Sequence, residues 1–573
     1  MGIAAAYRAV RPQATALLMA APAVTPPKIP EACEPEARPL RVAAVDLATE
    51  TKDAGLEEAA YAPPAEESAA KAEPAPAAPA KKRGLREFVA DNAVVTLALV
   101  IGKLRGIVTL PLLVGTIGTA GYGVWSQILA YVTFLAFIIC WNLHLPLIRF
   151  IAADRANAPR IYTTILLLEM GLTVVGALIL LPFSSTASTF LLGDPGLGRH
   201  LALGLVLVFF NNIRLVNINV YRAYDKFVAR SAVELAAQTV DLGITIVVLT
   251  VTHDLFSALV GMTIWSAVVA AFSTWHAGRL AGFGRPSAAT ARAAMKYSLP
   301  LLPSLLSFWM LDRSDRFFIG RYLGPKDVGI YSASYALGSL VLHAQMPFQM
   351  TLFPKVAQLW DTDRATAKRY IELSNKFFLT LAIPFIAACA IVAPAILRKL
   401  GNEEIASMGA VLTVLVATGV TLWGVTIMQT QILHGARDTG VQGMTGIFAA
   451  IVNVSVNVTL LPRIGVVAAA IATLAAYGVQ CLVLATAARR HLAISYFPTY
   501  LAKCGLASAV MLLPMAPLVS RGTAGLLGAI AIGGVTYFAV LVIVRAFDAE
   551  ETALARRVWG KLRGKVAPPR AAS

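Results

Sequence analysis

Residues 161–182 read IYTTILLLEMGLTVVGALILLP, and this stretch decides the class of the fold. It is predominantly apolar, and its one charged side chain is Glu169. As a helix it would rise about 33 Å at ~1.5 Å per residue, enough to cross the ~30 Å hydrocarbon core of a bilayer. Thirteen more stretches of similar length and polarity surround it. Together, spans 1 to 14 run over 90–115, 121–141, 161–182, 200–221, 232–252, 255–275, 298–320, 328–351, 377–397, 408–433, 440–461, 465–487, 501–519 and 523–545. Almost no soluble material separates them. The expected class is therefore all-α: a polytopic membrane protein of about fourteen transmembrane helices.

Composition agrees. Of the 573 residues, 57% are hydrophobic and only 14% charged, where soluble domains carry about a quarter charged. The net charge of +17 would suggest nucleic acid in a soluble protein. Here it follows from the loops, and no nucleic-acid partner is expected. Five cysteines at 33, 140, 389, 481 and 504 form no CxxC or metal-ligand spacing, so no metal or cofactor is expected. Residues 1–85 form an Ala/Pro/Glu-rich tail, expected to be disordered because it cannot bury a core. The opening YRAVRPQATALLMAAPA faintly resembles a signal peptide, but its apolar run is short and broken.

Lys and Arg alternate from loop to loop. With the N-terminus placed inside, inner segments from Lys81 onward hold 30 of them and outer segments 7. By the positive-inside rule both termini are then cytoplasmic. An internal repeat sets the domain plan. Gly118-Thr-Ala-Gly-Tyr-Gly123-Val-Trp-Ser126 follows span 1, and Gly324-Pro-Lys-Asp-Val-Gly329-Ile-Tyr-Ser332 follows span 7, offset by 206 residues. Tyr221-Arg-Ala-Tyr-Asp225 and His434-Gly-Ala-Arg-Asp438 echo each other with an offset of 213. A duplicated six-helix unit places a first lobe at 86–280 and a second at 281–492. Spans 13 and 14, with a basic tail, occupy 493–573. Parallel repeats of this kind are a transporter plan, with the substrate path between the halves.

Charges at membrane depth cost several kcal/mol unless they face a partner or a wet cavity, so they are the functional pointers. Lys103 and Arg105 lie in span 1, Glu169 in span 3, Arg214 in span 4, Glu234 and Asp241 in span 5, and Asp312, Arg313, Asp315 and Arg316 in span 7. In span 4, Asn211, Arg214, and Asn217 or Tyr221 fall at helical steps and are expected on one inward face. Asp312 and Arg316 are spaced to pair. The basic groups Arg214, Arg316, Arg313, Arg105 and Lys103, with Asn211 and Asn217, would form a cationic cleft suited to a phosphate or pyrophosphate. Snorkelling or structural ion pairing is the alternative for each arginine. Glu169 and Asp241 are candidates for ion coupling. His343, Gln345, Gln349, Gln429 and Gln431 could touch a sugar; interhelical hydrogen bonding explains them and the Asn453/Asn457 pair equally well. No nucleotide-binding or hydrolase motif occurs, so an enzyme is not expected and transport driven by ATP hydrolysis within the chain is excluded.

The run MKYSLPLLPSLLSFWMLDRSDRFFIGRYLGPKDVGIYSASYALGSL, residues 295–340, resembles the central signature of bacterial polysaccharide flippases of the multidrug/oligosaccharidyl-lipid/polysaccharide (MOP) exporter superfamily. The matching positions are Ser298 and Pro300, Asp315 and Arg316, Gly320 and Gly324, and Val328 to Ser332; residues 103–126 are similar to the first-helix region. The resemblance covers about 85–550. It implies two six-helix lobes and alternating-access movement of undecaprenyl-pyrophosphate-linked oligosaccharide across the inner membrane, for O-antigen, capsule or exopolysaccharide. The implied partners are the lipid-linked oligosaccharide, membrane lipids, and the glycosyltransferases or polymerase of the same pathway. A lipid II flippase and a multidrug/cation antiporter are the alternatives within the superfamily. A membrane polymerase or ligase fits less well, since the longest outer loop is only about 18 residues.

Overall fold

The computed structural model describes residues 85–547 except 439, with side chains from residue 109 onward apart from 347, 350 and 351. The N-terminal tail, the basic C-terminal tail and the side chains of Lys103 and Arg105 lie outside the described residues. Among the described residues the chain is helical, without strands. The first half contains α1 (Leu85–Cys140), α2 (His144–Ala153), α3 (Ala158–Leu180), α4 (Ser184–Leu192), α5 (Gly198–Ala223), α6 (Phe227–Thr252) and α7 (Leu255–Ala281). A connector helix α8 (Ala288–Ser298) follows. The second half contains α9 (Leu302–Arg313), α10 (Asp315–Tyr322), α11 (Pro325–Gly338), α12 (Met346–Leu359), α13 (Arg364–Leu400), α14 (Glu403–Gly435), α15 (Gly440–Ile464) and α16 (Val467–His491). The last pair is α17 (Pro498–Val519) and α18 (Gly522–Ile543).

Every one of the fourteen expected spans falls on helix, but not as fourteen separate rods. Among the described residues, eleven helices are long and apolar enough to cross a membrane. The difference has physical causes. Spans 1 and 2 run together as α1, which changes direction at Gly118. Span 7 divides at Ser314 into α9 and α10. Its four charges within five residues lower its hydropathy. Ser314 and Arg316 turn their side chains back onto the Met310 and Asp312 carbonyls, at 2.6 and 3.0 Å. Span 8 is interrupted by the tightened turn Ser339–Ala344 between α11 and α12.

The duplication is written in the backbone. Gly118 sits at φ 73°, ψ 177° and Gly324 at φ 98°, ψ 174°. Both are conformations open to glycine and rare for other residues. The second echo ends α5 and α14 in the same left-handed turn. Asp225 has φ 54° and Arg437 φ 59°. Lys226 N bonds Tyr221 O at 2.8 Å and Asp438 N bonds Leu433 O at 2.9 Å. The structural offset is thus 212, one less than the lettering implied.

Each lobe has its own apolar core. Residues such as Ile165, Val216, Val220 and Ala277 pack together in the first half. Val328, Tyr331, Val416, Ala469 and Tyr477 do so in the second. The connector α8 seats Ala294 and Met295 on the first lobe's core. Helices α17 and α18 pack on the outer flank of α13, through Val392, Cys504, Met515 and Tyr537.

Candidate functional site

Between the lobes lies a cavity of about 900 Å³. The first lobe contributes Tyr122, Trp125, Ser126, Asn211, Arg214, Gln238, Asp241 and Trp265 to its wall. The second contributes Arg313, Arg316, Ser339 and His343. Three arginines therefore face one acidic lining residue, Asp241, among the described residues. Carboxylates just outside the lining, Glu234 and Asp312, pair with two of the three, Arg214 and Arg313, so the positive excess is carried chiefly by Arg316.

The arginines differ in how they are held. Arg214 Nη2 donates to Asn211 Oδ1 at 3.4 Å, one helical turn away on α5, and its Nη1 lies 3.6 Å from Glu234 of α6. Arg313 pairs with its neighbour Asp312, Nε to Oδ2 3.2 Å. Arg316 is the most constrained. Its Nε donates to Ser126 Oγ across the lobe boundary at 3.1 Å, its Nη1 donates to the Asp312 carbonyl, and its guanidinium lies over the Tyr335 ring. The expected Asp312–Arg316 side-chain pair is thus replaced: the Asp312 carboxylate takes Arg313 and the Tyr335 hydroxyl, the latter at 2.9 Å.

Other expected site residues divide. Asn211 and Asp241 reach the cavity. Asn217 does not line it. It is fully buried, accepts from Tyr162 Oη at 2.8 Å and donates to Ser273 and Thr274 at 2.9 Å each. Tyr221 likewise donates to the Ser273 carbonyl. Glu169 lies behind the wall, 3.3 Å from His144. Gln429 donates to Tyr496, and Asn453 and Asn457 belong to the shell of Asp315. Of the candidate sugar contacts, His343 lines the cavity.

Sequence reasoning quoted Ser126 and Ser332 as repeat letters and missed their use. At one end of the cavity the two motif copies pack against each other. A Cβ added to Gly123 would stand 1.8 Å from the Pro325 carbonyl oxygen, and one added to Gly329 would stand 2.2 Å from that of Thr119. Thr119 and Pro325 are themselves 206 apart, so the contact is reciprocal, as a pseudo-two-fold axis requires. On that axis Ser126 Oγ and Ser332 Oγ are 2.8 Å apart. Beside them Gln127 donates to the carbonyls of Leu191 and Arg316, and Asn402 donates to Thr119 at 2.7 Å. Arg316 thus touches both the cavity and the seam beside it.

Residues 88–360 match a family of polysaccharide biosynthesis proteins. The chain is similar to two probable flippases of Haloferax volcanii. It is 27% identical to probable flippase AglR over 28% of this chain and 34% of that one, and 22% identical to probable low-salt glycan biosynthesis flippase Agl15 over 45% and 53%. The chain therefore aligns with about a third to a half of these curated relatives' length. Among solved structures, the fold resembles lipid II flippase MurJ in an inward closed conformation, with TM-score 0.65, 13% identity, and 78% of this chain and 98% of that one covered. The matched family covers just under half of the chain and includes the run 295–340; the resemblance of that run to polysaccharide flippases of the MOP exporter superfamily stands. The described residues have a multi-pass, all-helical build.

Proposed function

We propose that this protein is a flippase that moves a pyrophosphate-linked lipid oligosaccharide across a bacterial inner membrane by alternating access, for surface polysaccharide synthesis. One observation carries the reading: Arg214 from one lobe and Arg313 and Arg316 from the other line a single interlobe cavity. Guanidinium forks bind phosphate oxygens bidentately. Donors from both lobes would let an anionic head group influence how the lobes sit. A cavity with three arginines disfavours a cation antiporter. Lipid II shares the pyrophosphate and is separated by complementation rather than by the cavity.

Arg214→Ala should abolish export while the protein stays inserted at normal abundance. Arg214→Lys should keep part of the activity, since charge survives without the fork. The measurement is surface glycan, and lipid-linked intermediate accumulating inside, in a deletion strain carrying each variant. Normal export by Arg214→Ala would remove the main support.

The lobes are read as 86–280 and 281–492, with both termini cytoplasmic. Cysteines placed at 183–199 should react with an impermeant reagent in intact cells, and those at 355–376 should not. Labelling of the latter segment would invert the topology.

A further inference from the structure

The first lobe carries a second charged surface, away from the cavity, where α2 ends, α3 begins and the connector leaves α7. Residues 149–160 and 275–299 together hold seven Lys and Arg and one acid, Asp154. All seven basic side chains are exposed, and none lines the cavity. Asp154 is engaged locally: its carboxylate accepts from Asn157 N at 3.1 Å and from Asn157 Nδ2 at 2.7 Å. Packing fixes the surface. Gly284 N donates to Thr163 Oγ1 and Ser287 N to Thr164 Oγ1, each at 3.0 Å, strapping the connector to the start of α3. A Cβ on Gly284 would stand 2.8 Å from Arg160 N. Ala294 and Met295 seat α8 on the lobe's core, leaving Arg292, Lys296 and Tyr297 exposed. Arg292 and Lys296 are four apart and share one helix face.

Several of these cations are braced by groups that hold their direction and leave their charge. Arg149 lies 5.9 Å from the Tyr297 ring centre, which joins the end of α2 to α8. Arg279 lies 4.2 Å from the ring centre of Trp275. Arg155 lies over Tyr224 and donates to the Ala223 carbonyl. The second lobe provides an internal comparison. Its equivalent strap is held by a carboxylate: Ser495 N donates to Glu372 Oε1 at 2.7 Å, and Glu372 also lies 3.8 Å from Lys368. Asp361 and Asp363 stand in the same stretch. Parallel copies meet the same side of the membrane, so a bias of Lys and Arg toward that side does not by itself produce the difference. Beside the first lobe's cations, Trp275, Phe283 and Leu299 are 50%, 62% and 52% exposed. Tryptophan favours the boundary between hydrocarbon and head groups, and cations next to exposed apolar side chains suit a surface that meets both layers. A free phosphate or an acidic peptide would use the charges and leave these three side chains without a role.

We propose that this surface binds anionic phospholipid. Head-group phosphates meet Arg285, Arg292 and Lys296, and the acyl chains lie against Phe283 and Leu299. Because α8 lies on the connector between the lobes, bound lipid anchors that connector to the bilayer. The site is independent of what the cavity carries.

The test uses the full-length protein in neutral detergent, with dioctanoyl phosphatidylglycerol and dioctanoyl phosphatidylcholine as probes and bound lipid counted by native mass spectrometry. Phosphatidylglycerol should bind saturably, and phosphatidylcholine about tenfold more weakly or less. The double variant Arg292→Gln/Lys296→Gln should lose phosphatidylglycerol affinity by about tenfold or more. Its thermal unfolding midpoint should stay that of the wild type, because both side chains are exposed. The charge-matched pair Arg489→Gln/Arg490→Gln, on the second lobe, should bind as the wild type does. Equal binding of the two lipids, or unchanged binding by the first variant, would overturn the proposal. An equal loss in both variants would make the binding a property of net charge and overturn the site. Full displacement of phosphatidylglycerol by inorganic phosphate, or by a polyglutamate peptide, at equal concentration would assign the surface to a small anion or an acidic protein and overturn the lipid.

Discussion

Asp315 and Glu169 are both carboxylates buried in the membrane, one in each lobe, and they are treated in opposite ways. Asp315 is completely enclosed, yet both its oxygens are satisfied. Tyr331 Oη donates at 2.5 Å and Thr473 Oγ1 at 2.8 Å to one, and Asn457 Nδ2 donates at 2.8 Å to the other. Its donors come from α11, α15 and α16, so it fastens the break at Ser314 to three other helices of its lobe. Glu169 has one oxygen 3.3 Å from His144 and the other buried without a hydrogen-bond partner. A fully bonded acid fixes a structure, because each donor loses its partner if the acid goes. An acid left half bonded holds fewer donors in place and fixes less of the structure around it.

The sharpest way to break this comparison is Asp315→Ala. It leaves the Tyr331, Thr473 and Asn457 donors buried and unpaired. Each orphaned buried group costs roughly 1–3 kcal/mol, so a loss of about 3 kcal/mol or more is expected, seen as a collapsed thermal unfolding midpoint in detergent and low abundance in membranes. A stable Asp315→Ala would mean that the shell is decoration. Next in size is a test of whether the two copies meet as described. Ser126→Cys with Ser332→Cys should form a disulfide under mild oxidation, stop export, and recover with reductant; failure to cross-link in native membranes would place the seam elsewhere. The smallest expected effect is the stability change in Glu169→Gln, within about 1 kcal/mol, because the amide keeps the shape and only one hydrogen bond is altered. A large stability loss there would make Glu169 a structural acid like Asp315.

Much of the candidate site was legible in the sequence. Arg214, Arg313 and Arg316 stood out because a charge in an apolar span is costly, and the 206-residue repeat placed their helices in corresponding units. Asn217 was misread. At ~100° per residue it lies about 120° around α5 from Asn211, far enough for its side chain to face α7 rather than the cavity. The Asp312–Arg316 pairing failed for a different reason. Helical spacing permits it, but a nearer partner claimed each side chain, Arg313 for the acid and Ser126 for the base. His144 gave no signal, because its partner is 25 residues away and the turn that joins them has no sequence signature.

The amino-acid sequence by itself determined the helices, their apolar lengths, the internal repeat and the family resemblance, since hydropathy and local repetition are properties of neighbouring residues. Tertiary structure alone decided which buried charges face the cavity, that Ser126 and Ser332 meet on the pseudo-two-fold axis, and that Asp315 is saturated while Glu169 is not. Those outcomes depend on which of several partners a side chain reaches first in space. Residues distant in the chain compete for the same hydrogen bond, and only the packed fold ranks the distances.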